Sequence, residues 1–486
     1  MSKEPNVILI VMDTARSDFV FEGKDGEQIA PEINSIANSG TKFTNAFSAA
    51  PWTLPSHGSL FTGEYPSKHG AHAGSKHLPE TNSTIAEVFS SEGYDTVAAS
   101  NNAWISEPFG FGRGFDEFFK GWQYVQSDTD LGKAGLMNEG TDMWKAVAKE
   151  IFKGNVGKNL LNALYAKIRF GHSDDDGAKR TNKWVKDWVS SHNPSQPFFM
   201  FINYLEPHLE YSPPKEIAER FLPNNVSYKE AMSVPQNAWE YVTDQISLAE
   251  DDFEILRCLY AAEIAYTDAM IGDLVDHLKK EGEWDDTIMV ILGDHGENIG
   301  DHGLMDHQYC LYDSLLHVPL VVHGGQFSDQ GVNDSLVQLT DIAPTLLDGL
   351  NIKNEEFSNQ VQGKSILTTD RDYVVSEYIS PQPSRESIEK RVGDPHNLMD
   401  KFDRSLRAIR TNEYKYIQGS DGSQELYRVS KDPQERRDIA SNDDEVVTEL
   451  KNKLESWKDS FESIQTVEMN DVDDATQKRL EDLGYI

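Results

Sequence analysis

Two cysteines in 486 residues, Cys258 and Cys310, exclude both a disulfide framework and a thiolate metal cluster. A chain of this kind suits a reducing compartment. Long hydrophobic runs are also missing: none approaches the roughly 18 apolar residues of a membrane span. The first run, VILIVM, stops at Asp13, too soon for a secretory signal, and reads as a buried first strand. Basic charge is scarce as well. Lys and Arg total 45 against 81 Asp and Glu, leaving a formal charge of −36. Such a surface repels nucleic-acid phosphates, so no nucleic-acid partner is expected. There is no internal repeat and no low-complexity tract. These absences predict a soluble, cytoplasmic protein with a large core, and leave its oligomeric state open.

What is present is an alternation. Short apolar runs at 7–12, 96–99, 198–202, 287–292 and 318–322 fit strands buried on both faces. Helical patterns lie between them. One opens with a capping-box pair, Thr84 and Glu87, and another over 255–278 repeats apolar residues at Leu259, Ala262, Tyr266, Ile271, Leu274 and Leu278. The expected fold is α/β, a large mainly parallel or mixed sheet sandwiched by helices. In such folds ligands gather at the carboxyl ends of strands. Asp13, Glu206-Pro207-His208 and Asp294-His295 each follow an apolar run.

After residue 370 the pattern changes to short strands (DYVVSEY, SLRAIRTNEYKYIQG, QELYRVS) and then a helix in DDEVVTELKNKLESWKDSFESI. This predicts a catalytic domain over 1–370 and a small α+β subdomain over 371–486 with antiparallel sheet, helix and acidic tail. An insertion at about 125–175 carries a basic island. Over 144–170, Lys145, Lys149, Lys153, Lys158, Lys167 and Arg169 meet only Glu150. An amphipathic helix of this charge serves either as a packed lid or as a peripheral contact with an anionic membrane.

Several longer segments occur in a fixed order: NVILIVMDTAR, APWTLPSHGSLFTGEYPSKHG, GRGFDEFF, LEPHLEY, LGDHGENIGDHG, LYDSLLHVPLVV, AIRTNEYKYI and ELYRVSKDPQERRDIA. In these the chain resembles the sulfatases of the alkaline phosphatase superfamily over nearly its full length. The resemblance implies an alkaline phosphatase-like sheet domain, a small C-terminal sheet, and one divalent metal ion held by Asp13, Asp294 and His295, with Thr53 as the nucleophile at the metal. Magnesium, manganese, calcium or zinc would serve, the histidine favouring manganese or zinc. Many members carry a second aspartate after the first, where this chain has Thr14.

The nucleophile position is the main departure. Members with a Cys/Ser-x-Pro-x-Arg frame oxidise that residue to formylglycine; here the frame reads Thr53-Leu54-Pro55-Ser56-His57. Oxidising a threonine β-carbon gives a ketone, so no formylglycine is expected, and Thr53 would attack as an alkoxide. Thr53 would equally suit a helix N-cap, with Pro55 near the first turn. His57 is expected as a catalytic partner of Thr53 or as a leaving-group acid titrating near neutrality. His208, His302, His307 and Asn101 are candidate substrate-binding residues; His307 falls near the family's lysine. Ser100-Asn101-Asn102-Ala103 stands where the family has Gly-Lys-x-His.

The expected function is metal-dependent hydrolysis of a phosphate diester, a phosphonate or a sulfate ester through Thr53. The substrate would be a small-molecule or lipid- or glycan-linked anionic ester. Transfer of a phospho-headgroup to a lipid or glycan acceptor, conventional sulfuric ester hydrolysis, and a catalytically silent binding protein are the alternatives.

Overall fold

The structure of the protein is a computed structural model that describes residues 4–23, 28–123, 125–126, 156–158, 161–162, 175, 177–385, 388–389 and 402–461. The basic island at 144–170, with its lid or membrane role, lies almost wholly outside the described residues, as does the acidic tail at 462–486. Strands β1 (Asn6–Met12), β2 (Thr41–Phe47), β3 (Asp95–Ser100), β4 (Glu117–Lys120), β5 (Phe198–Tyr204) and β6 (Thr287–Gly293) come first. They are followed by β7 (Asn298–Ile299), β8 (Met305–Asp306), β9 (His317–His323) and β10 (Gly331–Gln338). β7 and β8 pair with each other, and the rest form one eight-stranded sheet in the order β10-β2-β9-β6-β1-β5-β3-β4.

β1 is the apolar run read from the sequence, and all seven of its residues are buried. Successive side chains point to opposite faces. Val7, Leu9 and Val11 therefore enter one core cluster, and Ile8, Ile10 and Met12 enter another. Two covered faces explain why the strand shows no polar alternation. Burying each such side chain contributes roughly 1.5–3 kcal/mol.

The covering helices are α1 (Pro31–Asn38), α2 (Thr53–Thr62), α3 (Ile85–Ser91), α4 (Ala178–Ser191) and α5 (Glu250–Glu281). α2 and α3 bring Leu54, Leu60, Phe61, Ile85, Val88 and Phe89 to the first cluster. α1, α4 and α5 cover the second with residues such as Ile33, Val185, Leu259 and Leu274. The Thr84–Glu87 capping box forms at the start of α3. α5 runs 32 residues and stops at Gly282, whose φ of 79° lies in the left-handed region that favours glycine.

β1 runs parallel to both β5 and β6, and β3 to β4 and β5. β9 is antiparallel to β6 and β2. The reason is local: the chain leaves the carboxyl end of β6, makes the loops over 294–316 on that side, and returns from the same edge.

β11 (Val374–Tyr378), β12 (Leu406–Arg410), β13 (Lys415–Gly419) and β14 (Gln424–Tyr427) form a separate antiparallel sheet. One face, through Val374, Leu406, Ala408 and Ile417, joins the first main cluster. The other packs Val375, Ile409, Tyr416 and Leu426 against Leu450, Leu454 and Trp457 of α6 (Asp444–Lys458). The fold is thus α/β with a mixed, mainly parallel sheet between helices and a small C-terminal antiparallel sheet. No helix among the described residues is long and apolar enough to cross a membrane.

Candidate active site

Strand direction assembles the site. β2 and β6 are both antiparallel to β9, so β2 ends on the same sheet edge as β1, β3, β5 and β6. The segments that follow these five strands carry Thr53, Asp13, Asn102, His208 and Asp294-His295.

Trp52 holds the extended N-cap position of α2, and Thr53 is the first helical residue, with no side-chain capping bond. Its hydroxyl faces His295 instead, Oγ1 lying 3.3 Å from Nε2. Helix amide groups at this end favour negative charge. The His295 Nδ1–H donates to the Gly296 carbonyl at 2.9 Å, which fixes the tautomer and leaves the Nε2 lone pair inward. That nitrogen is 3.4 Å from Asp294 Oδ2 and 3.7 Å from Asp13 Oδ1. Burial, then the charge on His307, hold His295 well below the ordinary histidine pKa, so it is neutral.

Each carboxylate has one oxygen anchored and one without a hydrogen-bond partner among the described residues. Asp13 Oδ2 accepts from the Asn102 amide at 2.6 Å, while Oδ1 is orphaned. Asp294 Oδ1 accepts from the Thr14 and His295 N–H groups at 3.1 and 2.9 Å, while Oδ2 is orphaned. Burial and the neighbouring Asp13 charge push the Asp294 carboxyl well above the usual range. Ligand atoms of Asp13, Asp294 and His295 lie within 4.8 Å of one another. Orphaned, fully buried carboxylate oxygens beside a free imidazole lone pair are a donor set that fits a divalent cation.

The surrounding residues hold this arrangement in place. Thr14 sits at φ 62°, a strained conformation for a β-branched residue costing about 1–3 kcal/mol. It is secured by the bond to Asp294 and by Tyr260 of α5, whose hydroxyl donates to the Thr14 carbonyl at 2.6 Å and accepts from the Arg16 N–H at 2.9 Å. The Ser56 hydroxyl donates to the Asp294 carbonyl at 2.7 Å. Arg16 bonds Asp18 and Asp301, both at 2.8 Å. Its charge is therefore engaged within the loops.

Beyond His295 the site continues through two more imidazoles. The His307 ring centroid is 4.6 Å from that of His295 and 5.0 Å from that of His208. His307 Nδ1 lies 2.7 Å from Asp306 Oδ1 and 3.3 Å from Glu297 Oε1. Burial alone would lower His307, but these two carboxylates outweigh it and hold the ring protonated. His208 Nδ1–H donates to the Leu209 carbonyl.

Three candidates are placed differently from expectation. His57 donates from Nδ1 to the Thr53 backbone carbonyl at 2.9 Å rather than meeting its hydroxyl. Burial pushes its pKa down to about 4 instead of near neutrality, and aromatic edges of Phe111 and Phe201 surround the ring. It is a neutral brace for the first turn of α2. Asn101 accepts from the Thr181 hydroxyl at 2.9 Å and faces α4, while Asn102, two residues past the end of β3, turns toward Asp13. His302 is exposed in a turn at φ 55°, its ring stacked on Tyr312 at 3.8 Å. The turn carries it away from contact with the cluster. Asn102, Glu297 and Asp306 were missed. Asn102 stood inside the Ser100–Ala103 segment beside a second asparagine, and nothing in the sequence separates the two.

The Sulfatase family model matches residues 5–352, and a second model, N-sulphoglucosamine sulphohydrolase, C-terminal, matches residues 300–460. The chain belongs to the sulfatase family and is a sulfatase-like ester hydrolase. Arylsulfatase K of Bos taurus is 25% identical over 485 residues, covering 93% of this chain and 81% of its own. The crystal structure of phosphonate monoester hydrolase of Agrobacterium radiobacter superimposes with a TM-score of 0.69 at 19% identity, covering 94% of this chain and 96% of that one. A solved protein in complex with its substrate D-glucosamine-2-N,6-O-disulfate superimposes with a TM-score of 0.66 at 17% identity, covering 94% and 99%.

Proposed function

We propose that the protein hydrolyses esters whose reacting group bears a single negative charge, a sulfate ester, a phosphonate monoester or a phosphate diester, with Thr53 as the nucleophile. The observation that carries this is the position of Thr53 Oγ1, 3.3 Å from His295 Nε2 at the start of α2, beside the orphaned oxygens of Asp13 and Asp294. Asp13, Asp294 and His295 would hold a divalent ion, and two carboxylates with one imidazole favour manganese or zinc. Bound there, the ion supplies positive charge that favours the Thr53 alkoxide and offsets charge on the ester oxygens.

Thr53 Oγ1 bonds to the central sulfur or phosphorus as the bond to the leaving alcohol's oxygen breaks, and that alcohol departs with a proton. Water then cleaves the threonine ester and restores the hydroxyl. Asn102 keeps the Asp13 carboxylate in place, and His57 braces the Thr53 carbonyl. His307 and His208 line the side of the pocket beyond His295, where the ester's remaining oxygens would lie. A singly charged reacting group suits a site with so few cations. The family's Lys and His at 101 and 103 are Asn101 and Ala103 here. Cys258 and Cys310 are buried and form no disulfide, which supports a cytoplasmic protein.

The test is a panel of 4-nitrophenyl sulfate, an aryl phosphonate monoester, a bis-aryl phosphate and an aryl phosphate monoester, with manganese or zinc. One of the first three is expected to turn over best. Thr53→Ala should lose at least about 10³-fold in kcat, and Thr53→Ser should stay within about tenfold of wild type, since it keeps the attacking oxygen. Mass spectrometry should show an unmodified Thr53 peptide in resting enzyme. Undiminished turnover in Thr53→Ala would refute the assignment.

A further inference from the structure

We propose that Glu297, Asp306 and His307 form a second divalent-cation site, distinct from the Asp13, Asp294 and His295 centre, that staples the neck of the β7–β8 hairpin. The three residues flank that hairpin. Glu297 precedes β7, Asp306 ends β8, and His307 follows it. Each strand has two residues, paired only as Asn298 with Asp306 and Ile299 with Met305. A ladder that short is marginal by itself. It carries Asp306 at φ 72° and is tied by the Asn298 amide, which donates to the Asp306 carbonyl at 2.9 Å.

Charge and geometry at the neck point to a dication. Ligand atoms of the three residues lie within 4.8 Å of one another, and all three residues are buried. The 3.3 Å spacing of Glu297 to His307 matches the roughly 3.3 Å that donors about 2.0 Å from a zinc-sized ion would show, while the 2.7 Å Asp306 to His307 contact would open by about 0.6 Å around such an ion. Glu297 is 0% exposed, and its second oxygen, Oε2, has no hydrogen-bond partner among the described residues. A dication at this point would be met by both carboxylates and the His307 Nδ1 nitrogen, and would give the buried Glu297 carboxylate the partner that its second oxygen lacks. One nitrogen and two carboxylates suit zinc or manganese. The His307 Nε2 edge remains available to the ester.

The staple would reach the catalytic loop through a short path. The Gln308 N–H donates to the Pro51 carbonyl at 3.3 Å, two residues before Thr53.

Elemental analysis after dialysis against zinc tests the site without recourse to turnover. Wild type should hold two ions per chain. Glu297→Gln/Asp306→Asn should hold one, Asp294→Asn should hold one, and the combination none. His307→Cys loaded with cadmium should show an ultraviolet sulfur-to-cadmium charge-transfer band, lost when Glu297→Gln/Asp306→Asn is added. This guards against a misfolded double variant. One ion in wild type, absent from Asp294→Asn and retained in Glu297→Gln/Asp306→Asn, would overturn the second site while leaving the Thr53 reading intact. So would a folded His307→Cys protein that takes up cadmium without the band.

Discussion

Thr53 and a serine differ by one methyl group, but the methyl restricts χ1 and so narrows the directions open to the hydroxyl, which here lies toward His295 Nε2. The residues that aim the rest of the site act in the same way, through single bonds to a ligand's second atom. Asn102 is the clearest case, its amide holding Asp13 Oδ2 at 2.6 Å with both groups buried. Removing that donor leaves Asp13 with two unanchored oxygens. Asn102→Ala is therefore expected to weaken zinc or manganese affinity by about 10–100-fold, read by isothermal titration of the metal-free protein. An unchanged affinity would mean that Asp13 is positioned by its backbone alone. Asp13, Asp294 and His295 could be singled out from the sequence because each follows an apolar run. Asn102 could not, since choosing between two adjacent asparagines requires knowing how the chain turns after β3.

Helix α2 brings the nucleophile to the sheet edge, and its seating depends on a contact that the sequence does not advertise. A Cβ on Gly58 would come within 2.6 Å of the His69 ring. That ring is pinned, accepting from the Ala71 N–H at 3.1 Å and lying 3.2 Å from the Ser59 hydroxyl. Burial drives its pKa down to about 3, so it is a neutral packing surface. Helix propensity favours alanine over glycine by about 1 kcal/mol, yet here the clash decides. Gly58→Ala should lower stability by about 1–3 kcal/mol in urea denaturation and reduce kcat by displacing Thr53. Gly58→Ala/His69→Ala should recover part of the stability loss. A Gly58→Ala protein as stable and active as wild type would show that the helix can shift without consequence. Long, strongly patterned elements such as α5 were readable from periodicity. The two-residue β7 and β8 were not, because their pairing has no period and is set by the loops around it.

Over the whole molecule, the charge of −36 surrounds a site that must admit an anion. Long-range repulsion slows encounter and is screened by salt, with a Debye length near 10 Å at 0.1 M. For an anionic ester, kcat/KM should therefore rise as ionic strength increases from about 10 to 150 mM, while kcat stays level. A fall would indicate a local positive field that outweighs the acidic surface. The small C-terminal sheet is held to the catalytic half by buried charge as well as by shared core. Asp313 meets Arg410 at 3.0 Å and Lys415 at 2.8 Å, and Lys415 meets Glu435 at 2.7 Å. Burial is offset by these two cations, which keep the Asp313 carboxyl ionised. The turn from strand-helix alternation to short strands near residue 370 was visible in the sequence. This network was not, since Asp313 lies about a hundred residues before Arg410 and Lys415.

By itself the chain determined its α/β class, its apolar strands and the acidic residues at strand ends, because these follow from side-chain chemistry and local period; the replacement of the nucleophile frame by Thr53-Leu54-Pro55-Ser56-His57 was legible only through the resemblance to the sulfatases. Only the tertiary structure decided which asparagine holds Asp13, that His57 is a buried neutral brace, that His302 stacks on Tyr312, and that Glu297, Asp306 and His307 converge. Each of those depends on burial and on neighbours distant in the chain, and desolvation changes the charge a group carries only once the fold has removed its water.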